Sequence, residues 1–220
     1  MKGAVLPVQI LTLRLIPNLS PGLAKALGID SRFRAIGLIS TDSDDMTYIA
    51  LDEATKVANV EVAYARSLYA GAANASTALA GEVIGILAGP TPAEVASGLR
   101  GAEAFLRSGS GFRAANDQED VVYLAHCVSR TGAYLADLAH VPVGQAIAYL
   151  IAPPVEAVLG LDAALKASDV ELTEFFAPPT ETNFSGGLLT GTQSACQAAC
   201  DAFAQAVQEV AARPEDLGGM

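Results

Sequence analysis

Apolar residues follow two different periods along this chain, and the two periods alternate. Between strand-like runs, apolar residues three and four positions apart predict helices at Pro92–Arg107, from Pro153 to about Ala167, and at Thr192–Ala211. The adjacent prolines at positions 153 and 154 suit a first helical turn, where a missing N–H costs no hydrogen bond. The pattern predicts a mixed α/β fold. The strand-like runs are Val8–Ile16, Ala35–Ser40, Val60–Leu68, Glu82–Ala88, Val121–Arg130, Ala146–Ala152, Val170–Phe176 and Gly187–Thr190.

One phrase occurs twice. Residues Leu51–Val62 read LDEATKVANVEV and Leu161–Leu172 read LDAALKASDVEL, and five of the eleven positions from the aspartate onward are identical. Each phrase is expected to end one helix and begin a strand. A second strand ending in glycine (Gly89 or Gly191) and a long helix then follow in both places. Agreement of order over more than 40 residues favours two copies of one α/β unit over a chance similarity.

The stretch SGSGFRAAND, which begins at Ser108, is rich in glycine and lacks periodicity, so we predict domains at 1–108 and 109–220.

The two copies differ in the loop between their paired strands. The first copy has eight extra residues within Ser67–Gly81, a segment of small, uncharged residues. Such a segment buries too little area to offset its ordering entropy, so it is expected to be mobile. It is either a gate or an ordinary surface loop. Two prolines stiffen its counterpart, FAPPTETNFSGG.

Charge and composition narrow the possible partners. The chain carries 13 basic and 24 acidic residues, a net charge of −11, and an acidic surface repels the phosphates of nucleic acids. Only 17% of the residues are charged, and the mean hydropathy is +0.36, which favours burial of surface against other copies. An alanine-rich core would give the same composition. No apolar run reaches the roughly 18 residues of a membrane span. Three cysteines suggest a cytosolic chain without disulfides.

Candidates for catalysis are few. Cys196 and Cys200 share one helix face at a spacing that permits two metal ligands, but core packing is the expected role because no further ligands lie nearby in sequence. His126 and Cys127 are neighbours in a predicted strand and point to opposite faces, so they form no dyad. The phosphate-binding loop, the nucleophile elbow and the zinc-protease motif are all missing from the sequence. We expect no enzyme activity, no metal site and no cofactor.

The repeated phrase resembles the helix-to-strand signature of the bacterial microcompartment shell domain. The whole chain is similar, more specifically, to the tandem, circularly permuted shell proteins of ethanolamine-utilisation compartments. This resemblance implies two tandem, circularly permuted shell domains, each a small antiparallel sheet with flanking helices, located in a cytoplasmic microcompartment shell. The stretches that carry it are GLISTDSDDMTYIALDEATK, RSLYAGAAN, LAGEV, AHCVSRTGAYL, AYLIAPP and LLTGTQSACQAAC.

The resemblance also implies how such a chain assembles. Three chains would form a homotrimer that mimics a hexamer, tiles edge to edge with other shell proteins and surrounds a central pore gated by loops. Lys56 and Lys166 match the family's edge lysine, although a lysine near a helix C-terminus also suits the helix dipole. Tyr69 would be the bulky side chain that moves at the gate. The implied pore-loop residues are Tyr69, Ala70, Gly71, Ala72, Ala73, Asn74, Phe184, Ser185 and Gly186.

An acidic cluster precedes the first copy of the phrase. Asp42, Asp44 and Asp45 suit helix capping and Asx-turns, for which one or two acids suffice. Three carboxylates within four positions repel each other unless they are solvated or paired with a cation. The resemblance implies a small pore here that binds ethanolamine or a similar amine, and it adds Glu82 and the backbone near Phe112 to that site.

Three functions compete at this point. The main hypothesis is a structural, pore-forming shell subunit. The alternative is a soluble binding module that senses small amines, which would form a trimer but never sheets. The third is an enzyme with its site between subunits, which would turn over an amino alcohol and lose that activity on Asp44→Ala.

Overall fold

The computed structural model describes residues 1–67, 83–178, 180 and 184–215. The chain divides into two compact units. The first unit comprises Pro7–Ser110 with Gly132–Leu135, and the second comprises Met1–Leu6, Gly111–Thr131 and the chain from Ala136 onward. The predicted boundary after residue 108 lies two residues before the main segment of the first unit ends. The division into domains 1–108 and 109–220 stays a prediction, because the units also exchange short segments that no single boundary describes.

The first unit contains a four-stranded antiparallel sheet in the order β1-β2-β4-β3. Helices α2 and α3 pack against each other and against this sheet. Thr91 caps α3 by accepting the N–H of Glu94 at 3.2 Å, as its position before the helix predicts. The elements are β1 (Ile10–Ile16), α1 (Pro21–Ala26), β2 (Ala35–Thr41), α2 (Asp44–Val57), β3 (Glu61–Ser67), β4 (Val83–Gly89) and α3 (Pro92–Leu106).

The second unit contains a five-stranded antiparallel sheet in the order β5-β6-β7-β9-β8. Helices α5 and α6 pack together beside it, and Thr192 caps α6 through the N–H of Ala195. The first half of helix α4 belongs to the first unit and the second half to the second unit. The elements are β5 (Arg113–Ala114), β6 (Val122–Val128), α4 (Ala133–Leu138), β7 (Ile147–Ala152), α5 (Pro154–Ala167), β8 (Val170–Phe176), β9 (Ser185–Gly191) and α6 (Gln193–Ala212).

The predicted repeat is confirmed by the topology. Strands β1-β2-β4-β3 of the first unit correspond in order to β6-β7-β9-β8 of the second unit. Helix α5 begins 110 residues after α2, and the strands that follow these helices carry bulges at the same spacing, Val62/Tyr64 and Leu172/Glu174. The predicted fold class, antiparallel sheets with flanking helices, is likewise confirmed.

Some features differ from the sequence prediction. Helices α1 and α4 have six residues each, too few for a periodic apolar pattern to be visible. Ser185 and Gly186 were expected in a loop, but they are the first residues of β9 and pair with Ala152 and Ile151. Glycine suits this position because a Cβ at Gly186 would clash with the carbonyl oxygen of Leu150.

The apolar helix faces predicted from spacing are buried. Val95, Leu99, Ala102 and Leu106 of α3 lie in the core, and the same holds for α6. Among the helices of the described ranges, none combines the length and the apolar character that crossing a membrane requires. The α6 residues in the core are Cys196, Ala199, Cys200, Phe203 and Val207.

Candidate functional site

The acidic cluster lies where strand β2 ends and helix α2 begins. Asp44 and Asp45 form the first turn of α2, and each is 7% exposed. The Ser67 hydroxyl, at the end of β3, lies 2.6 Å from Asp44 Oδ2, and the Tyr48 hydroxyl lies 2.6 Å from Ser67 Oγ. Asp44 Oδ1 also accepts the N–H of Asp45 at 2.9 Å. Two nearly buried carboxylates at a helix N-terminus are stabilised by the helix dipole, and together they form a negatively charged site.

Neighbouring hydroxyls orient this turn. The Thr41 and Thr47 hydroxyls lie 2.7 Å apart, and both hydroxyls hydrogen-bond to the carbonyl oxygen of Ser43. The Ser43 side chain makes no cap hydrogen bond, although Ser43 is the N-cap residue. Its hydroxyl oxygen is buried and has no hydrogen-bond partner within the described part of the chain. A buried, unsatisfied hydroxyl calls for a polar partner, which a water molecule or a polar ligand would supply.

The structure describes only one of the other two predicted contacts of this site. Glu82 falls outside the described residues. Phe112 belongs to the second unit, where its ring packs at 5.6 Å between centroids against Phe184. Its carbonyl oxygen accepts the N–H of Leu6 at 2.8 Å. The Phe112 backbone is therefore already tied to the N-terminal segment.

The predicted pore-loop residues are only partly described. Tyr69, and with it positions 70–74 (Ala70, Gly71, Ala72, Ala73 and Asn74), lies outside the described residues. Phe184 is half-buried, and its carbonyl oxygen accepts the Thr180 hydroxyl at 2.8 Å. Ser185 is buried and donates its hydroxyl to the carbonyl oxygen of Phe176. The pore-loop role of all nine residues stays a prediction.

The two predicted edge lysines have different surroundings. Lys56 Nζ lies 2.6 Å from a Glu53 carboxylate oxygen and 3.2 Å from Asp52 Oδ2, and its side chain is 11% exposed. Lys166 Nζ lies 2.6 Å from Asp162, and its side chain is 74% exposed. Because exposed ion pairs contribute little, Lys166 can reach other partners at low cost, whereas Lys56 is held by two carboxylates.

Sequence reasoning missed the role of Asp52, which is fully buried in the first unit. Its two carboxylate oxygens accept the backbone N–H groups of Gly132 (2.7 Å) and Leu135 (2.9 Å). Thr55 Oγ1 accepts the N–H of Ala133 at 3.0 Å. The only signal in the sequence was the repetition of this aspartate, since its partners lie about 80 residues further along.

The cysteines of α6 are core residues, as predicted. Burial raises the pKa of Cys196 to about 11, and burial also raises the pKa of Cys200. A thiol with a raised pKa stays protonated near neutral pH and is a poor nucleophile and a poor metal ligand. Within the described ranges, no group of three histidine, cysteine or acidic side chains is placed to hold a metal ion.

Comparison with known proteins identifies the class. Residues 35–115 match the BMC domain, the bacterial microcompartment domain family. The chain is 61% identical over 214 residues to the bacterial microcompartment shell protein EutL of Clostridium perfringens, covering 97% of this chain and 99% of that protein. It is 52% identical to EutL of Escherichia coli, covering 94% of each chain.

Comparison with solved structures leads to the same family as comparison of the sequences. The crystal structure of EutL from Clostridium perfringens superimposes with a TM-score of 0.96 at 60% identity and 99% coverage of both chains. EutL from Leptotrichia buccalis gives 0.95 at 59% identity, covering 98% of this chain and 100% of that one. The chain therefore belongs to the EutL family of bacterial microcompartment shell proteins. Its general function follows from this family: it is a shell subunit of a bacterial microcompartment.

Proposed function

We propose that this shell subunit assembles as a homotrimer around a gated central pore, and that the acidic end of α2 binds ethanolamine or a similar small amine. The internal repeat supports the assembly, because three chains with two similar units each supply six units for a ring. The loops differ between the copies: residues 68–82 join β3 to β4, but only residues 177–184 join β8 to β9. Such a ring would alternate a long and a short loop around its axis.

The pore loops and edges complete this proposal. Tyr69, with its neighbours up to Asn74, would gate the pore from the long loop, and Phe184, Ser185 and Gly186 would border it from the short one. Lys166 and Lys56 would contact other shell proteins at the edges. The exposed Lys166 needs no rearrangement for that contact, whereas Lys56 would have to leave Asp52 and Glu53.

The observation that carries the binding proposal is the pair of nearly buried carboxylates beside the unsatisfied Ser43 hydroxyl. An ethanolamine cation offers an ammonium with three donors and a hydroxyl that both donates and accepts. Asp44 and Asp45 would accept from the ammonium, and Ser43 would pair with the hydroxyl. Glu82 and Phe112 are the further contacts that the family resemblance adds.

The binding proposal is tested by isothermal titration calorimetry with ethanolamine. Asp44→Asn keeps an acceptor for Ser67 but removes the charge, so we expect the affinity to fall by about tenfold or more, the value of a charge-assisted hydrogen bond. The matched control is Asp42→Asn, two residues away. Asp42 is exposed and accepts the N–H of Gln9 at 2.8 Å. Equal losses for both variants, or no binding to the unmodified protein, would contradict the proposal.

The assembly is tested by light scattering together with electron microscopy of the same sample at high concentration. A mass of three chains and flat arrays are expected. A trimer that never forms arrays would favour the amine-sensing alternative and would remove the edge role of Lys56 and Lys166. A mass of one chain at every concentration would contradict the trimer.

A further inference from the structure

The second unit has an open, negatively charged cavity beside the start of strand β8. The cavity has a volume of about 360 Å³ and lies between the loop after helix α4, the start of β8 and the end of β9. Two carboxylates, those of Asp169 and Glu171, line it, and none of the described lining residues is basic. Val141, Pro142 and Val170 supply apolar walls. A small cavity with acidic and apolar walls suits a cation that carries an apolar stem.

The internal repeat provides an equivalent position in the first unit. Glu61 and Glu171 lie 110 residues apart. They pair with Ala88 and Thr190, each of which precedes the glycine that ends the neighbouring strand, so the two glutamates are equivalent. In the first unit, the Arg32 guanidinium forms an ion pair with the Glu61 carboxylate. A glutamate at this place in the fold thus binds a guanidinium group.

Two further groups hold the Arg32 guanidinium. Arg32 Nε lies 3.2 Å from an Asp30 carboxylate oxygen, and the guanidinium carbon lies 4.5 Å from the centroid of the Phe33 ring. Carboxylates at the edge of a guanidinium and a ring on its face are the contacts that this planar cation prefers. The first unit therefore supplies the cation for its own glutamate.

The corresponding loop of the second unit has no such cation. The turns that end α1 and α4 match, because the N–H groups of Ile29 and Val141 each donate to a carbonyl oxygen five residues earlier. From these turns to the next alanine, Ala35 or Ala146, the first loop reads DSRFR and the second reads PVGQ. The second loop is one residue shorter and contains neither a basic nor an aromatic residue. Within the described residues, the Glu171 carboxylate forms no ion pair.

The second unit nevertheless keeps two carboxylates at this place. Where the first unit has Asp30 and Asn59, the second has Pro142 and Asp169. One carboxylate has thus moved from the loop to the residue two positions before the glutamate. Because a loss in the loop is matched by a gain beside the strand, the site keeps its acceptors but not its cation.

Neighbouring basic side chains leave the cavity open. Neither Arg130 nor His140 lines it, and His140 Nε2 lies 3.4 Å from a Glu174 carboxylate oxygen. Gln145, which does line it, donates its side-chain amide to the carbonyl oxygen of Gly191 at 2.8 Å. Its amide oxygen is left as a further acceptor. The cavity wall thus offers acceptors and no positive charge.

We propose that this cavity binds a guanidinium group, with Glu171 and Asp169 accepting its N–H groups and the apolar walls enclosing its stem. The guanidinium belongs either to a free alkylguanidinium compound or to an arginine side chain of another protein, and the test separates these sources. The inference is independent of the proposed amine site, because Asp44 and Asp45 belong to the first unit.

Isothermal titration calorimetry with butylguanidinium tests the site. We expect a dissociation constant of about 1 mM, because the carboxylates are exposed, and about tenfold weaker binding of butylammonium, which lacks the planar fork of donors. Glu171→Gln keeps the shape and removes the charge, so it should weaken butylguanidinium binding by about tenfold. The matched control is Glu209→Gln, an exposed acid on α6 that does not line the cavity and should leave the affinity unchanged.

A blocked Ser-Arg-Phe tripeptide, the sequence of residues 31–33, separates the two sources. Binding about tenfold tighter than that of butylguanidinium would indicate an arginine side chain of another protein, and equal affinity would indicate a free compound.

The first unit allows a test by gain of binding. Arg32→Ala removes the cation beside Glu61 and should make that glutamate available as well. Crystals of this variant soaked in butylguanidinium should contain one ligand at Glu61 and one at Glu171, whereas crystals of the unmodified protein should contain only the ligand at Glu171. A ligand in neither place would contradict the equivalence of the two sites.

The outcomes separate this inference from the proposed amine site. Binding that is lost with Glu171→Gln and kept with Glu209→Gln supports it. No binding of butylguanidinium or of the tripeptide up to about 20 mM, or equal affinities for the two glutamine variants, would overturn it. Glu171 would then only discourage pairing at β8, the last strand of its sheet. Ethanolamine binding should be the same with and without Glu171→Gln, so either result leaves the amine site to be decided by Asp44→Asn.

Discussion

The two copies of the aspartate–lysine phrase lie at equivalent places in their helices, yet only one is buried. Asp52 is fully buried and accepts two backbone N–H groups, and Lys56 beside it is nearly buried. Asp162 and Lys166 form an ion pair in which the two side chains are 60% and 74% exposed. The same local sequence therefore produces the same helix but not the same environment. What differs is the segment that covers the helix.

Helices α5 and α6 of the second unit pack through different residues from helices α2 and α3 of the first unit, and the two differences in size offset each other. In the second unit a Cβ at Gly160 would lie 2.6 Å from Phe203 Cδ2. In the first unit the positions equivalent to these two residues are Ala50 and Ala102, both fully buried. One copy thus uses glycine with phenylalanine where the other uses two alanines. Equivalent backbones are preserved because the volume lost on one helix is restored on its neighbour.

The largest expected effect is the loss of the buried aspartate. Asp52→Ala leaves the N–H groups of Gly132 and Leu135 without their acceptor and removes one of the two carboxylates beside the Lys56 ammonium. We expect the free energy of unfolding to fall by about 3 kcal/mol, whereas Asp162→Ala should change it by less than about 0.5 kcal/mol. Urea unfolding followed by circular dichroism measures both.

Both measurements are repeated at several protein concentrations, because oligomerisation would otherwise contribute to the apparent stability. Equal losses for the two alanine variants would show that the difference in burial has no energetic consequence. The comparison between the copies would then fail.

An intermediate effect is expected at the helix contact of the second unit. Gly160→Ala forces a Cβ against the Phe203 ring and should lower the free energy of unfolding by about 1 to 3 kcal/mol, as overpacking does. Adding Phe203→Leu should relieve part of that clash, so the double variant should be more stable than the sum of the single changes predicts. Strict additivity would contradict the proposed compensation.

The smallest effect is expected when a core residue of one copy is replaced by the residue type found at the equivalent position of the other copy. Cys196 lies four residues after the N-cap Thr192, and Val95 lies four residues after the N-cap Thr91. Cys196→Val should therefore change the free energy of unfolding by less than about 1 kcal/mol, since both residues are small and apolar. Cys196→Ser, which buries a hydroxyl, should cost about 1 to 3 kcal/mol and is the control. A large loss for valine would mean that the thiol has a specific role.

Much of each unit could be predicted from the pattern alone. The strands and the long helices have clear periods, and the repeated phrase aligned the copies in the register that the structure has. The short helices α1 and α4 left no periodic signal. Strand β9 begins at Ser185, before the predicted start at Gly187. Ser185 and Gly186 are typical of a turn, yet glycine is needed at position 186 for the close approach between strands.

The candidate site was predictable only in its local part. Asp44 and Asp45 are consecutive, so their sequence already indicates a shared helix end. Their burial depends on β3, whose Ser67 lies 23 residues further along, and the burial of Asp52 depends on a segment about 80 residues away. Such long-range contacts are set by the topology of the whole chain, which a periodic pattern does not specify.

The exchange of short segments between the two units has a consequence for synthesis on the ribosome. The first unit is completed only when Gly132–Leu135 emerges, well after its last strand and helix have been made. The second unit needs the earliest residues of all. The Ala114 N–H donates to the carbonyl oxygen of Ala4, and the Gly3 N–H donates to the carbonyl oxygen of Ala114, so these bonds form only after more than 100 residues of elongation. Neither unit can therefore reach its final state before the other has begun to form, and folding is coupled across the whole chain.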